Sequence, residues 1–267
     1  MQRKKQIRIL ILFCLFCAVF LFSGYMLTSN MIKNKMAADA YQGLRTKVLH
    51  PQATPLISDS LPALPRISMD FSSLQEINPE IIGWIKGEGT GIDYPILQTE
   101  DNNYYLRHMY NREYNISGAI FMDYRCSCDF SDKNTVIYGH NMRNGTMFGD
   151  LEKYKDQEYY DNNPSIVLCT PQGDYLVEMI SGTIENGNVE FVRLDLENDE
   201  GFLDYIDELK SRSTFTSDVD LNIDDKIVSL CTCTYDWNSA RYMVIGRLVQ
   251  IYQAPITIQY IVPMELM

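Results

Sequence analysis

The chain has 267 residues, 46% of them hydrophobic, enough to bury one ordinary core and leave an appendage. Its formal charge is −12, and with residues 1–30 set aside 19 basic residues face 35 acidic ones, a formal −16. So acidic a balance argues against nucleic acid as a partner.

The chain opens on "MQRKKQIR", four Lys or Arg and no acid, and runs into "ILILFCLFCAVFLFSGYML", residues 9–27 without a charge. That length suits a helix crossing a bilayer. No small-x-small cleavage pattern follows, so the segment reads as an uncleaved anchor, not a signal peptide. The basic flank predicts a single-pass type II protein of the cell membrane, with residues 1–30 as cytoplasmic tail and anchor and the remainder outside. Residues 31–66, helix-compatible at first and then polar and proline-dotted ("HPQATPLISDSLPALPR"), predict an extracellular stalk. A folded domain is expected over 67–267.

In that domain "DFSSLQEINPEIIGWI" predicts a short helix with a capping serine, broken by Pro79 and Gly83. Beyond Gly83 come short apolar runs bounded by Gly, Pro, Asn or Asp: "GIDYPIL", "SGAIFMD", "NTVIYGH", "PSIVLCT", "DYLVEMISGTI", "KIVSLCT" and "RYMVIGRLVQIY". Seven or eight such strands predict a mainly β domain, closed or nearly closed as a barrel. Two helical pieces interrupt them, "TMFGDLEKY" and "DEGFLDYIDELKSRS"; in the second, Phe202, Tyr205, Ile206 and Leu209 follow i, i+3, i+4, i+7 spacing.

Cys14 and Cys17 fall in the apolar span and read as small apolar residues. Cys126, Cys128, Cys169, Cys231 and Cys233 lie beyond it, and an odd number leaves at least one thiol unpaired. On a strand Cys231 and Cys233 share a face, at the limit of what a disulfide can span. The two C-x-C pairs lack the usual C-x₂₋₄-C spacing of a zinc site, so neither metal nor cofactor is expected. Nucleophilic catalysis requires a thiol, a base and an oxyanion partner. Cys233 at a strand end, His140 where "NTVIYGH" meets a polar turn, and Arg241 opening the next strand meet that list. If the last two strands form a hairpin, Arg241 returns beside the cysteine. His108 lacks such a setting and reads as a loop histidine.

"SLCTC" followed by an arginine eight positions after Cys233 resembles the TLxTC...R signature of sortases, the cysteine transpeptidases of Gram-positive cell surfaces. "YGHNM...MFGDL" resembles their histidine segment. With "INPEIIGWI", "IDYPILQTEDNNYYLRHMYN" and "GAIFMDYR" in order, the likeness is closest to class B and covers about residues 70 to 250. It implies an eight-stranded sortase barrel with amino-terminal helices and a helix before the catalytic strand. It implies Cys233 as nucleophile, His140 as proton-transfer partner and Arg241 as oxyanion or substrate-orienting group. Substrate contacts are implied at Asn102, Leu106, Tyr205, Ile206, Cys231 and Thr232. The chain departs from the pattern at Ser229, where threonine is commoner, and at Cys231, where serine is frequent.

The implied reaction is a two-step acyl transfer. The thiolate attacks the threonine carbonyl of a carboxyl-terminal sorting motif, NPxTN-like or PxTG-like, in a secreted protein; a thioester forms, and an amine of a peptidoglycan precursor (lipid II) resolves it. Other Cys/His peptidases would use similar residues, as would L,D-transpeptidases, although the S-H-G-C-x-R cluster of the latter is absent. A membrane-anchored binding domain without catalysis would be indifferent to thiol alkylation.

Overall fold

The computed structural model describes residues 2–51, 67–196 and 199–251. The proline-dotted part of the expected stalk, 52–66, and the tail, 252–267, lie outside the described residues. The apolar amino-terminal run is helical and long enough to cross a membrane, but the helix does not stop where the apolar run does. Helix α1 (Gln2–Val48) continues for 47 residues, about 70 Å at 1.5 Å per residue.

The two parts of α1 meet different surroundings. Its apolar stretch exposes Phe13, Phe16, Phe20 and Leu21. Further on, Ala37, Tyr41, Leu44 and Val48 are buried, a stripe at i, i+4, i+7, i+11 that lies on the folded domain. Tyr41 Oη donates to the Gly118 carbonyl (3.2 Å), and its ring meets Tyr94 edge-on at 5.1 Å. Arg45 donates to the Asp93 carbonyl (2.9 and 2.6 Å), pairs with the Asp93 carboxylate at 3.2 Å and lies over Tyr94. The helix-compatible start of the expected stalk is thus part of α1, and from Ala37 to Val48 it lies on the folded domain; the burial stripe sits in "MAADAYQGLRTKV" among polar neighbours.

Strands β1 (Leu49–Pro51) and β2 (Ile67–Met69) form an antiparallel pair. Helix α2 (Phe71–Ile77) follows, capped by Asp70, whose carboxylate accepts from Ser73 N–H at 3.0 Å; the cap is the aspartate and not a serine. The helix ends before Pro79, as expected, and the run "IIGWIK", whose pattern left helix and strand open, is strand β3 (Ile81–Lys86), with Trp84 and Ile85 fully buried. Six residues are too few for periodicity to separate the two states.

The remaining strands are β4 (Asp93–Leu97), β5 (Ile120–Met122), β6 (Asn134–Tyr138), β7 (Ser165–Thr170), β8 (Gly173–Asn186), β9 (Lys226–Cys233) and β10 (Ala240–Ile251). They close with β3 into a barrel in the order β10-β8-β7-β3-β4-β5-β6-β9. Closure leaves the barrel itself no open edge. The β4–β5 and β6–β9 pairs are parallel and the others antiparallel. A 3₁₀ turn (Tyr104–Leu106) follows β4, while "TMFGDLEKY" yields a 3₁₀ segment at Gly149–Lys155 before the short α3 (Gln157–Asn162). Helix α4 (Asp199–Ser211) precedes β9 and buries Phe202, Tyr205, Ile206 and Leu209, the face its spacing predicts.

The docked end of α1 makes a testable contribution to stability. In a chain starting at residue 31, Leu44→Ala should cost about 2–5 kcal/mol and lower the thermal midpoint by several degrees. Met36→Ala, on the exposed side of the same helix, should leave it unchanged; equal midpoints for both variants would contradict the docking.

Candidate active site

Parallel pairing of β6 and β9 carries two reactive side chains to one end of the barrel. Tyr138 stands opposite Cys231 in that register. Where the ladder ends, Gly139 N–H still donates to the Cys231 carbonyl (3.1 Å) and Thr232 Oγ1 donates to the Gly139 carbonyl (2.8 Å). One residue beyond His140, Asn141 Nδ2 donates to the Cys233 carbonyl (2.9 Å). The histidine segment is thus tied to the cysteine segment on both sides of His140. Gly139 is dictated by space: a Cβ there would lie 2.4 Å from Ile120 Cδ1 and 2.7 Å from Phe148 Cδ2.

Across the barrel seam, antiparallel pairing places Arg241 directly opposite Cys233. Directly opposed residues of this kind hold their Cβ atoms about 4.5–5.5 Å apart. The Arg241 side chain lies along Gly187, where a Cβ would fall 3.1 Å from Cζ, and it donates to the Ala240 carbonyl (3.1 Å). Glu185 is its cross-strand neighbour on β8, but Arg212 engages that carboxylate at 3.1 Å. Among the described residues no carboxylate forms an ion pair with Arg241. Arg247, six residues on, is instead held by Glu178 (2.6 and 2.9 Å) and by the Asp220 carbonyl (2.7 Å).

Cys233, His140 and Arg241, all half-buried, line one cavity of about 260 Å³ together with Asn102, Leu106, Phe121, Tyr138, Gly139, Cys231 and Thr232. His140 Nε2 lies 2.8 Å from the Leu106 carbonyl. A carbonyl only accepts, so Nε2 carries a proton, and in the neutral ring Nδ1 is the nitrogen left to take one. Asn102 Oδ1 accepts from Tyr124 N–H (3.0 Å), fixing that wall. Tyr138 Oη donates to the buried Asp123 (3.0 Å), which Arg125 holds in bidentate fashion (2.9 and 2.8 Å). Burial would raise the Asp123 carboxyl, but the bonds from Arg125 and Tyr138 outweigh it and hold the group below the usual carboxylate range.

The thiols separate by burial. Cys231 is fully buried, and desolvation pushes its thiol far above the ordinary range; Cys169 behaves likewise, and Cys126 is pushed up to about 11. Only Cys128 and Cys233, of the five thiols beyond the span, keep exposure. Cys128 faces a separate hollow of about 790 Å³ with Glu80, Glu100 and Asp101 and no histidine. Cys233 alone joins access to a histidine and an arginine.

Seven of the nine expected site residues meet in the cavity. Tyr205 and Ile206 do not: they are 2% and 3% exposed, on the face by which α4 packs into the core. The resemblance implies them as contacts, whereas their i, i+3, i+4, i+7 spacing marks the packed face of α4, and it is this face that is buried. Thr232 belongs to the wall, but its hydroxyl is occupied by the Gly139 carbonyl. His108 stacks on Tyr104 at 4.1 Å, as befits a loop histidine. Asn141, Gly139 and Gly187 were not singled out by sequence reasoning, because what they do depends on partners distant in the chain.

Comparison with known proteins agrees with this geometry. The Sortase domain family matches residues 85–249. Sortase B of Listeria monocytogenes is 34% identical over 233 residues, covering 86% of this chain and 92% of the relative. Among solved structures, the Staphylococcus aureus sortase B-substrate complex superposes with a TM-score of 0.70 at 30% identity, over 83% of this chain and all of that one. Clostridium perfringens sortase B gives 0.64 at 37% identity, over 67% of this chain and all of that one. With its closed barrel, its thiol facing an arginine and these relatives, the chain belongs to the sortase family of cysteine transpeptidases, alongside the sortase B enzymes.

Proposed function

We propose that Cys233 is the nucleophile of this transpeptidase, His140 its proton-transfer partner and Arg241 its oxyanion or substrate-orienting group. The observation that carries this reading is the register: Arg241 faces Cys233 across one ladder, and both share a cavity with His140. The thiolate sulfur bonds to the threonine carbonyl carbon of a sorting motif, of NPxTN or PxTG type, in a secreted protein. Negative charge gathers on the carbonyl oxygen, where a guanidinium offers permanent charge and a planar fork of donors. His140 then protonates the departing amine as the peptide bond breaks, leaving a thioester. An amine of a lipid II-type peptidoglycan precursor attacks that thioester, releases the thiol and joins the protein to the precursor. Asn102, Leu106, Phe121 and Cys231 line the pocket for the motif's side chains.

The apolar part of α1 supports a membrane anchor, and its basic flank supports a cytoplasmic amino terminus with the barrel outside. Protease added to intact spheroplasts should release a soluble fragment containing the barrel; a barrel that stays protected until lysis would reverse the orientation.

Cys233→Ala should abolish thioester formation with a motif peptide, detected as a mass increment on the protein. Cys231→Ser should retain most of it, since that residue only lines the pocket. Equal loss in both variants would point to a joint role for the two thiols instead.

Arg241→Lys keeps the charge and loses the fork, so kcat/KM should fall about tenfold or more, on the order of 1.4 kcal/mol, at an unchanged thermal midpoint. Arg247→Lys, which only loosens the pair with Glu178, should leave kcat/KM within about twofold. The reverse pattern would move the reaction centre to the other end of β10.

A further inference from the structure

We propose that Glu152 is a positioning residue for acyl transfer: one carboxylate that ties the residue after His140 to the residue after Cys233. Its Oε2 accepts from Asn141 Nδ2 at 2.6 Å, and its Oε1 accepts from Thr234 Oγ1. Asn141 and Thr234 are the chain neighbours of His140 and Cys233, on segments 92 positions apart at the Asn141–Cys233 contact. The proposal rests on the reading of those two residues as the reacting pair.

The carboxylate is itself held in place. Lys155 donates to Glu152 Oε1 at 2.9 Å, to Thr234 Oγ1 at 2.8 Å and to Asp236 Oδ2 at 2.5 Å. Glu152 and Lys155 are each only 28% exposed, so this is a partly desolvated cluster in which charge-assisted bonds count for more than on an open surface. Burial would raise the Glu152 carboxyl, but bonds from Thr234, Lys155 and Asn141 hold it below the ordinary range, which keeps it an acceptor for both arms.

The connection to chemistry runs through two short paths. Asn141 divides its two amide protons between Glu152 and the Cys233 carbonyl. A shift of Asn141 therefore moves His140 and the end of β9 relative to each other. Thr234 has its backbone N–H on the Ala240 carbonyl (3.2 Å), next to Arg241. All three residues of the reacting set thus stand one residue from the cluster or from a partner of it. Glu152 is not among the residues that line the cavity; it acts on orientation and not on substrate.

The test uses the full chain in detergent and the variants Glu152→Gln, Asn141→Ala, their combination, and Lys153→Gln. Lys153 is exposed on the same 3₁₀ segment and pairs with Asp150, away from both arms. An NPxTN-type peptide provides kcat and KM. Iodoacetamide provides the alkylation rate of Cys233, read on its own peptide by mass spectrometry whatever the motif preference. Glu152→Gln and Asn141→Ala should each lower kcat about ten- to hundredfold with KM within about twofold and the thermal midpoint within a few degrees. Cys233 alkylation should slow in both, the double variant should be no worse than the poorer single one, and Lys153→Gln should match the parent. If Glu152→Gln does not fold, Asn141→Ala carries the same test from the other arm. Parental kcat and alkylation in these variants, fully additive losses, or losses that track a falling midpoint would overturn the positioning role. A Cys233→Ala protein that still forms the thioester would instead overturn the underlying assignment of the nucleophile.

Discussion

The parallel pairing of β6 with β9 is the constraint on which the site depends. Neighbouring strands lie about 4.8 Å apart, so aligning their ends sets the histidine segment beside the cysteine segment before any side chain is considered. Parallel strands cannot be joined by a tight turn, and here the chain between Tyr138 and Lys226 makes a long excursion through β7, β8 and α4. His140 and Cys233 are therefore brought together late in the chain's path, by barrel closure and not by local folding. Tight packing at Gly139 and the hydrogen bonds across to Cys231, Thr232 and Cys233 convert that alignment into a defined relation between side chains.

The hairpin from β9 to β10 adds the arginine by a different and simpler route. Two antiparallel strands joined by a short loop put Arg241 opposite Cys233. In a domain with so large an excess of acids, a lone guanidinium would ordinarily be taken up by a carboxylate. Glu185 stands in register with Arg241 and yet is engaged by Arg212, while Glu178 takes Arg247. The distribution of ion pairs leaves Arg241 without a carboxylate partner among the described residues, which supports the oxyanion role proposed for it.

Helix α1 connects this barrel to the apolar span without a break. Its docked end touches Asp93, Tyr94, Tyr110 and Gly118. Gly118 in turn packs against the Tyr105 and Leu106 carbonyls, with no room for a Cβ, and the Leu106 carbonyl is the partner of His140. A continuous set of packed groups thus runs from helix α1 to the histidine, so the helix supports one wall of the cavity.

Elements whose signal is local could be read from the residues alone. The uncharged span, the strand runs bounded by turn formers, the helical face of Phe202, Tyr205, Ile206 and Leu209, and the order of sortase-like motifs around His140, Cys233 and Arg241 were all legible there. What the sequence could not separate was a packing position from a contact position on the same helix: the resemblance implies Tyr205 and Ile206 as contacts, and both are buried in the core, while "IIGWIK" is too short to declare itself a strand. Nor could it expose relations between distant segments. That α1 docks through Tyr41 and Leu44, that Gly139 makes room for Ile120 and Phe148 and Gly187 for Arg241, and that Glu152 meets both Asn141 and Thr234 follow only from barrel closure. Those contacts join residues far apart in the chain, and only the closed tertiary structure fixes which of them become neighbours.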